Sequence, residues 1–336
     1  MLDKVDLNQS LSKDAFKRVM RDQQDRLFEL AELVYERKLP AIVLFEGWDA
    51  AGKGTNIRTI TERLDPRGFK VLATRAAMPH EQNKPWLWRF WMNIPRHGQI
   101  AIFDRSWYGR VLVERVAGIT AIPDWIRAYE EINAFERTLA ADGTVFVKFF
   151  LHISKAEQLR RFISLTMTPE DAWQVTADDW EAHRRYDEYT AAINDMLSST
   201  STQVAPWEVV PATNRYYCQY HVIRTVIHRL EEALHVAYSP DPDLVKMELV
   251  AEKEKTVSKI KKVSKQAAKE DARASKVVAK AAQKTEKAGK KKKKLDSLLS
   301  DDKQTQQANG DSTDESLHDS NELDSLVNEN EEKQDA

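Results

Sequence analysis

The sequence contains a single cysteine, Cys218, among 336 residues, so no disulfide bond can form within the chain. It lacks any run of about 18 apolar residues, the length that a membrane-spanning helix requires. Its first ten residues, MLDKVDLNQS, contain neither an apolar stretch nor the cleavage pattern of an export signal. From these absences we expect a soluble protein of the cytoplasm without a transmembrane segment.

The net charge of −2 conceals three segments of very different composition. Residues 1–245 are nearly balanced at −3, residues 246–294 carry +12, and residues 295–336 carry −11. We therefore predict one globular domain over 1–245, a Lys/Ala-rich basic tail over 246–294 and an acidic, disordered tail over 295–336. The basic tail could bind polyanions or a membrane surface, or it could pair with the acidic tail.

A phosphate-binding motif lies near the start of the globular part. A buried strand, AIVLF, leads into the loop EGWDAAGKGT, in which Gly47, Gly52 and Lys53 have the spacing of a P-loop. The glycines let the backbone approach an anion closely, and the lysine supplies a positive charge that can follow a phosphoryl group. Gly54 stands where the motif usually has Ser or Thr, and Thr55 follows one position late, which leaves its magnesium role open. The alternative is a strand, turn and helix with incidental glycines.

Hydrophobic patterning predicts an alternation of strands and helices around this loop. Strands are predicted at 41–45, 69–74, 100–103, 144–151 and 207–210, and helices at 13–37, 52–64, 154–165, 180–197 and 221–235. The aromatic residues between 86 and 91 are expected to pack mainly in the core, although one ring could stack on a nucleotide base.

A second polar cluster ends the strand at 100–103. Asp104 follows this strand directly, and Arg105 is next to it. An aspartate at the end of a strand beside the P-loop is where such enzymes hold Mg²⁺, directly or through water. Arg105 can bind a phosphate during transfer. Since one strand and helix separate this cluster from Lys53, we expect the two to converge.

Several other arginines could face an anion. Arg58 and Arg75 follow the P-loop and the second strand, whereas Arg160 and Arg161 lie on a predicted lid helix of a lid spanning about 154–197. Each of these could instead be an ordinary surface residue.

Long motifs make the sequence resemble the polyphosphate kinase 2 family. These are FEGWDAAGKG, RFWMNIPRHGQIAIFDRSWYGRVLVERV, KFFLHISKAEQLRRF and PWEVVPATNRYYCQYHVIRTVIHRLEEAL, in this order over about residues 10–236. The resemblance implies a thymidylate kinase-like fold: a three-layer α/β/α sandwich with a parallel sheet, a P-loop and a helical lid. It also implies phosphoryl transfer between inorganic polyphosphate and a nucleotide. The FDRSWYGRVLVERV segment looks most like the members that phosphorylate AMP, with ADP or GDP as other acceptors.

The resemblance assigns roles by position. The glycines at 47, 52 and 54 with Lys53 would cradle phosphate, Asp49 and Asp104 would bind Mg²⁺ or Mn²⁺, and Arg105 would contact phosphate in the transition state. Arg110 and Arg115 would line the same cleft, although Arg115 could equally form a structural ion pair. Members of the family commonly assemble as homo-dimers or tetramers, which we also expect here.

Two other functions remain open at this point. An ATP-dependent nucleotide kinase could use the same fold and loop. A non-catalytic protein with a decayed P-loop could bind nucleic acid through the lysine-rich tail, although an intact Lys53, Asp104 and Arg105 argue against decay.

Overall fold

The computed structural model describes residues 1–244 continuously, and beyond them residues 246–248, 250, 252–259, 261–262, 264–266, 269, 273, 276 and 287. The chain divides into two compact units, residues 1–257 and 258–336. The first unit contains the predicted globular domain. Much of the predicted basic tail and all of the predicted acidic tail lie outside the described residues.

Helices and strands alternate through the first unit. The strands are β1 (Ala41–Gly47), β2 (Phe69–Ala73), β3 (Ile100–Asp104), β4 (Val145–His152) and β5 (Trp207–Pro211). The helices are α1 (Lys13–Glu36), α2 (Lys53–Thr61), α3 (Pro79–Gln82), α4 (Trp88–Trp91), α5 (Val113–Val116), α6 (Ile122–Ala141), α7 (Lys155–Thr166), α8 (Ala177–Arg184), α9 (Tyr186–Thr200) and α10 (Arg215–Ala233). Short 3₁₀ helices cover Leu2–Lys4, Trp107–Arg110 and Ala172–Gln174.

The five strands form one parallel sheet in the order β2-β3-β1-β4-β5. The P-loop strand β1 is central, and residues 41–46 are all buried, as expected for a strand covered by helices on both faces. Helices α1, α2 and α10 pack together in one layer, and α6 packs against α9 in another. The predicted three-layer α/β/α fold with a parallel sheet is therefore confirmed.

The predicted helix over 180–197 is two helices in the structure. α8 ends at Arg184 and α9 begins at Tyr186, with Arg185 at φ −92° and ψ 22° between them. The break lets the ring of Tyr186 stack on Trp48 with centroids 3.8 Å apart, while its hydroxyl donates to the Ile153 carbonyl. Local patterning did not reveal this break because its cause is contact with a distant loop.

α10 begins six residues earlier than the pattern predicted. Its N-cap is Asn214, whose side-chain oxygen accepts hydrogen bonds from the backbone N–H groups of Tyr216 and Tyr217.

Among the described residues, no helix is both long enough and apolar enough to cross a bilayer.

Candidate active site

The P-loop and the second polar cluster meet at the carboxyl edge of the sheet. β1 and β3 are neighbours, and their register places Phe45 beside Asp104. The residues that follow the two strands therefore emerge side by side. In open parallel α/β sheets this edge is where ligands bind.

Two glycines have backbone reasons to be in the loop. A Cβ at Gly47 would lie 2.6 Å from the Leu151 carbonyl oxygen of the neighbouring strand, so only glycine fits there. Gly52 has φ +102° and forms the N-cap of α2. The first helical backbone bond runs from the Asn56 N–H to the Gly52 carbonyl. The amides of residues 53–55 precede that bond and point out of the helix N-terminus, where they can bind an anion.

Three charged side chains converge on the loop. An Arg105 Nη2 lies 2.6 Å from the Asp49 Oδ1, and the Lys53 Nζ lies 3.7 Å from the same oxygen. The Lys53 Nζ also donates to the Gly47 and Trp48 carbonyls, at 2.9 and 3.2 Å. Burial acts to raise the pKa of Asp49, but the charges of Lys53 and Arg105 outweigh it and lower that pKa. Asp49 is therefore an anion at neutral pH.

The backbone beside the site is strained at two non-glycine residues. Ala50 and Arg105 both have φ +60°, in the left-handed region that costs a β-carbon-bearing residue about 1–2 kcal/mol. Ala50 is tied to the lid helix, because the Arg161 Nη1 donates to its carbonyl at 2.9 Å. Strain of this kind persists only where the surroundings hold it, and it clusters at functional sites.

A large cavity opens over this edge, with a volume of about 1230 Å³. Among the described residues, seven cationic side chains line it against four carboxylates. The cationic residues are Lys53, Arg58, Arg75, Arg105, Arg160, Arg161 and Arg215, and the acidic ones are Asp49, Glu62, Asp104 and Asp179. A cleft with this excess of positive charge favours a polyanionic ligand.

The cavity brings together most of the site residues predicted from sequence. The lining includes Gly52, Gly54, Thr55 and both lid arginines, 160 and 161, in addition to the charged residues of the P-loop and β3. Arg161, however, is already engaged: it donates to the carbonyls of Ala50, Ala212 and Thr213. Arg160 is less constrained: its side chain is 67% exposed, and within the described part of the chain it pairs with Glu157 alone.

Two predicted arginines are not part of the lining. Arg110 pairs with Glu114 at 2.9 Å and lies over the ring of Trp86. Arg115 pairs with Asp195 at 2.8 Å, which agrees with its alternative as a structural ion pair.

Within the part of the chain that the structure describes, the cavity lining includes no aromatic residue from 86–91. Phe90 is buried and packs edge-to-face with Trp86, while Trp91 packs on Phe135 of α6.

Asp104 differs from Asp49 in having a free carboxylate. Across the described residues, no hydrogen bond or ion pair of 4.0 Å or less engages its side chain. Nor do the described residues contain a cluster of three side chains able to cage a metal. A cation held here would therefore be held by Asp104 together with ligand phosphates and water, which is the usual arrangement for Mg²⁺.

Sequence reasoning missed a carboxylate directly beneath the site. Glu46 is 5% exposed, and its Oε1 accepts hydrogen bonds from both the backbone N–H and the hydroxyl of Ser106, each at 2.8 Å. Burial raises the pKa of Glu46, although the Ser106 hydrogen bonds and the charges of Lys53 and Arg105 oppose that shift. The available signal was one acidic residue at the end of an otherwise apolar strand.

A second buried network supports the segment after Arg105. The Lys148 Nζ, on β4, contacts the Tyr108 hydroxyl, a Glu136 oxygen and the Thr200 carbonyl, all at 2.8 Å. Glu136 also accepts from the Trp107 indole at 3.0 Å. A lysine within the apolar run TVFVKFFL was the sequence signal for this network.

Known proteins with similar sequences are polyphosphate kinases and polyphosphate phosphotransferases. A family model described as Polyphosphate kinase 2 (PPK2) matches residues 10–237. The polyphosphate:AMP phosphotransferase of Pseudomonas aeruginosa is 43% identical over 241 residues, covering 72% of this chain and 48% of that protein. The GDP-polyphosphate phosphotransferase of the same species is 33% identical over 238 residues, covering 70% of this chain and 67% of that protein. The chain thus spans about half the length of the first of these relatives.

A solved structure agrees with the sequence matches. The crystal structure of polyphosphate kinase 2 from Arthrobacter aurescens TC1 superposes with a TM-score of 0.68 at 31% identity, covering 75% of this chain and 93% of that one. The family match covers all five strands and the helices from α1 to α10, including the P-loop and the Asp104–Arg105 cluster. The chain belongs to the polyphosphate kinase 2 family.

Proposed function

We propose that this protein transfers a terminal phosphoryl group between inorganic polyphosphate and a nucleotide, with AMP as the favoured acceptor. The observation that carries the choice of AMP is the higher identity to a polyphosphate:AMP phosphotransferase, 43%, than to a GDP-polyphosphate phosphotransferase, 33%. The cationic lining of the cavity supports a polyanionic donor.

The proposed reaction needs positioning and charge neutralisation more than proton transfer. An oxygen of the AMP phosphate attacks the terminal phosphorus of polyphosphate, and the P–O bond to the next phosphate breaks. The products are ADP and a chain one phosphate shorter. Because the attacking phosphate is already largely ionised near pH 7, no strong base is required.

The residues divide this work by position. The amides at the N-terminus of α2 and the charge of Lys53 would bind the transferring phosphate. Arg105 would neutralise charge as it develops. Asp49 pairs with both Lys53 and Arg105, and it would keep these two side chains oriented between turnovers. Arg58, Arg160 and the backbone at Gly47 and Gly52 would hold further phosphates of the chain, while the Gly54 amide belongs to the group that binds the transferring phosphate.

Magnesium fits the free carboxylate at the end of β3. Asp104 would bind Mg²⁺, or Mn²⁺ in its place, and the ion would neutralise phosphate oxygens when bound. Asp49 is the second proposed metal residue, but its ion pair with Arg105 would have to open first. Thr55 lines the cavity one position after the place of the usual P-loop hydroxyl, and it would contact phosphate there.

The acceptor is tested with a panel of nucleotides. The purified protein is incubated with Mg²⁺ and long-chain polyphosphate together with AMP, ADP, GMP or GDP, and products are separated by chromatography. We expect ADP from AMP at the highest kcat/KM. Triphosphates formed only from the diphosphates would overturn the AMP assignment while keeping the donor.

We also propose a cellular location and an oligomeric state for the protein. A cytoplasmic location follows from the nucleotide substrates. The expected homo-dimer or tetramer stays a prediction, and a light-scattering mass would test it. Binding of polyanions by the basic tail also stays a prediction, because most of that tail lies outside the described residues.

A further inference from the structure

We propose that Glu46 is a positioning residue, which holds Arg105 in place for phosphoryl transfer through its hydrogen bonds to Ser106. This inference rests on the proposed function, in which Arg105 neutralises charge during transfer. Glu46 does not line the cavity, so its effect must pass through a neighbour.

Arg105 has an unusual backbone conformation. Its φ of +60° turns the chain sharply at the end of β3 and directs the guanidinium to Asp49 Oδ1, 2.6 Å away. A conformation that costs energy relaxes unless both of its ends are held. On the N-terminal side, the Arg105 N–H donates to the Phe45 carbonyl at 3.0 Å, which continues the parallel ladder.

Glu46 holds the other end. The next residue, Ser106, gives both its N–H and its hydroxyl to the same carboxylate oxygen, each at 2.8 Å. The Ser106 hydroxyl oxygen also accepts from the Tyr108 N–H at 3.4 Å, which caps the 3₁₀ helix that follows. One buried oxygen on β1 therefore fixes the point from which the strained turn leaves β3.

The chemistry of this contact predicts how substitutions behave. Both hydrogen bonds need an acceptor oxygen at this position, and a glutamine amide also offers one. Alanine offers none, and it leaves the Ser106 N–H buried without a partner. Displacing a transition-state contact by about 1 Å can cost about 100-fold in rate. We therefore expect Glu46→Ala to lower kcat by about 10- to 100-fold with little change in KM, and Glu46→Gln to stay within about threefold of the parent.

A double-mutant cycle tests whether the effect passes through Arg105. Parent, Glu46→Ala, Arg105→Ala and the double variant are assayed for ADP formation from polyphosphate and AMP. If Glu46 acts by positioning Arg105, then Glu46→Ala should change kcat less than about twofold in the Arg105→Ala background. If Glu46→Ala does not fold, Ser106→Ala replaces it in the same cycle under the same criterion.

Glu231 provides a matched control. It is also a fully buried glutamate whose Oε1 accepts from a serine backbone N–H, that of Ser239 at 2.9 Å, but it lies outside the cavity lining. We expect Glu231→Ala to lower the thermal midpoint without lowering kcat measured below that midpoint.

The possible outcomes separate this inference from the proposed function. No transfer by the parent protein would overturn the proposed function itself, and an unimpaired Arg105→Ala variant would overturn the role of Arg105. A slow Arg105→Ala variant with a Glu46→Ala variant as fast as the parent would overturn only the positioning role. Equal losses from Glu46→Ala in both backgrounds, or a Glu46→Gln variant as slow as Glu46→Ala, would overturn it as well.

Discussion

The two walls of the cavity are built differently. The sheet-edge wall consists of the P-loop and the residues after β3, and it rests on a strand whose first six residues are buried and on the Glu46 and Lys148 networks. The lid wall consists of α7 and α8, which form only the first part of the lid predicted over about 154–197; the rest of that range is α9, which buries Tyr186, Ala192, Ile193, Met196, Leu197 and Thr200. α7 buries only Gln158 and Phe162, and no residue of α8 is buried.

The lid is attached to the other wall chiefly by polar contacts. Gln158 donates to the Asp49 carbonyl at 3.3 Å and contacts His183 of α8 at 2.8 Å, while Arg161 reaches the Ala50 carbonyl. Apolar side chains remain exposed along the lid, with Met167 at 79% and Trp173 at 77%. Segments with few buried contacts open most easily. Under the proposed function, we therefore expect the sheet edge to supply fixed catalytic geometry and the lid to supply adjustable contacts to a long anion.

The largest expected effect is at the centre of the sheet-edge wall. Lys53→Ala removes the charge that follows the phosphoryl group, and we expect kcat/KM to fall by about 1000-fold or more. The matched control is Lys70→Ala, since the Lys70 Nζ also donates to a backbone carbonyl, that of Ile94 at 2.9 Å, but lies outside the cavity lining. If Lys70→Ala lost as much kcat/KM as Lys53→Ala, the loss would not be specific to a lysine of the sheet-edge wall.

A smaller but still large effect is expected at the free carboxylate. Asp104→Asn removes a negative charge without changing size, so we expect kcat to fall by about 100-fold and the Mg²⁺ concentration for half-maximal rate to rise. Titration of the rate with Mg²⁺ measures both quantities, and Asp65→Asn in an exposed turn is the control. Transfer by Asp104→Asn at the parental rate would show that Asp104 does not bind the metal.

On the lid wall we expect an effect on binding rather than on turnover. Arg160→Ala should raise KM for polyphosphate by about threefold to tenfold with kcat nearly unchanged, and added salt should shrink the difference from the parent. Arg184→Ala is a close control because both arginines are 67% exposed and pair with a glutamate three residues earlier, while Arg184 lies outside the lining. A fall in kcat for Arg160→Ala would place a lid residue among the fixed catalytic groups.

The last prediction concerns the free energy of unfolding, which should depend on pH, with the smallest expected effect on activity. His152 ends β4 and accepts a hydrogen bond at Nδ1 from the Trp48 indole at 3.0 Å, and burial lowers its pKa to about 4. Between pH 6.5 and 4 the unfolded state therefore binds a proton that the folded state does not. The contribution of His152 is complete above pH 6.5 and is lost as the pH falls through this window, on the order of 3 kcal/mol in total.

Thermal midpoints measured from pH 7 to pH 4 check this prediction. His152→Gln keeps an acceptor for the indole but removes the titrating group, so its midpoint should fall less steeply than that of the parent. Parallel curves for the two proteins would mean that His152 is not the group responsible.

The sequence predicted the sheet-edge wall better than the lid. The apolar strand before Gly47, the glycine spacing and the aspartate after β3 are local signals, and parallel strand order brings them together at one edge. Glu46 was missed because its partner is 60 residues away in sequence, and Lys148 because its partners are 12 to 52 residues away on three different elements. The break at Arg185 and the engagement of Arg161 likewise depend on contacts between distant segments, which no local pattern reports.

The most direct test of the account is a comparison of phosphate donors. The initial rate of ADP formation from AMP is measured with long-chain polyphosphate or ATP as donor, at equal concentrations of terminal phosphate and with Mg²⁺ present. Each transfer from ATP to AMP yields two ADP, so the rates are expressed per phosphoryl transfer. The rate of the Asp104→Asn variant, measured in the same way, gives the background. We predict that the rate with polyphosphate is well above both the rate with ATP and the rate of the Asp104→Asn variant. Transfer from ATP and not from polyphosphate would contradict it.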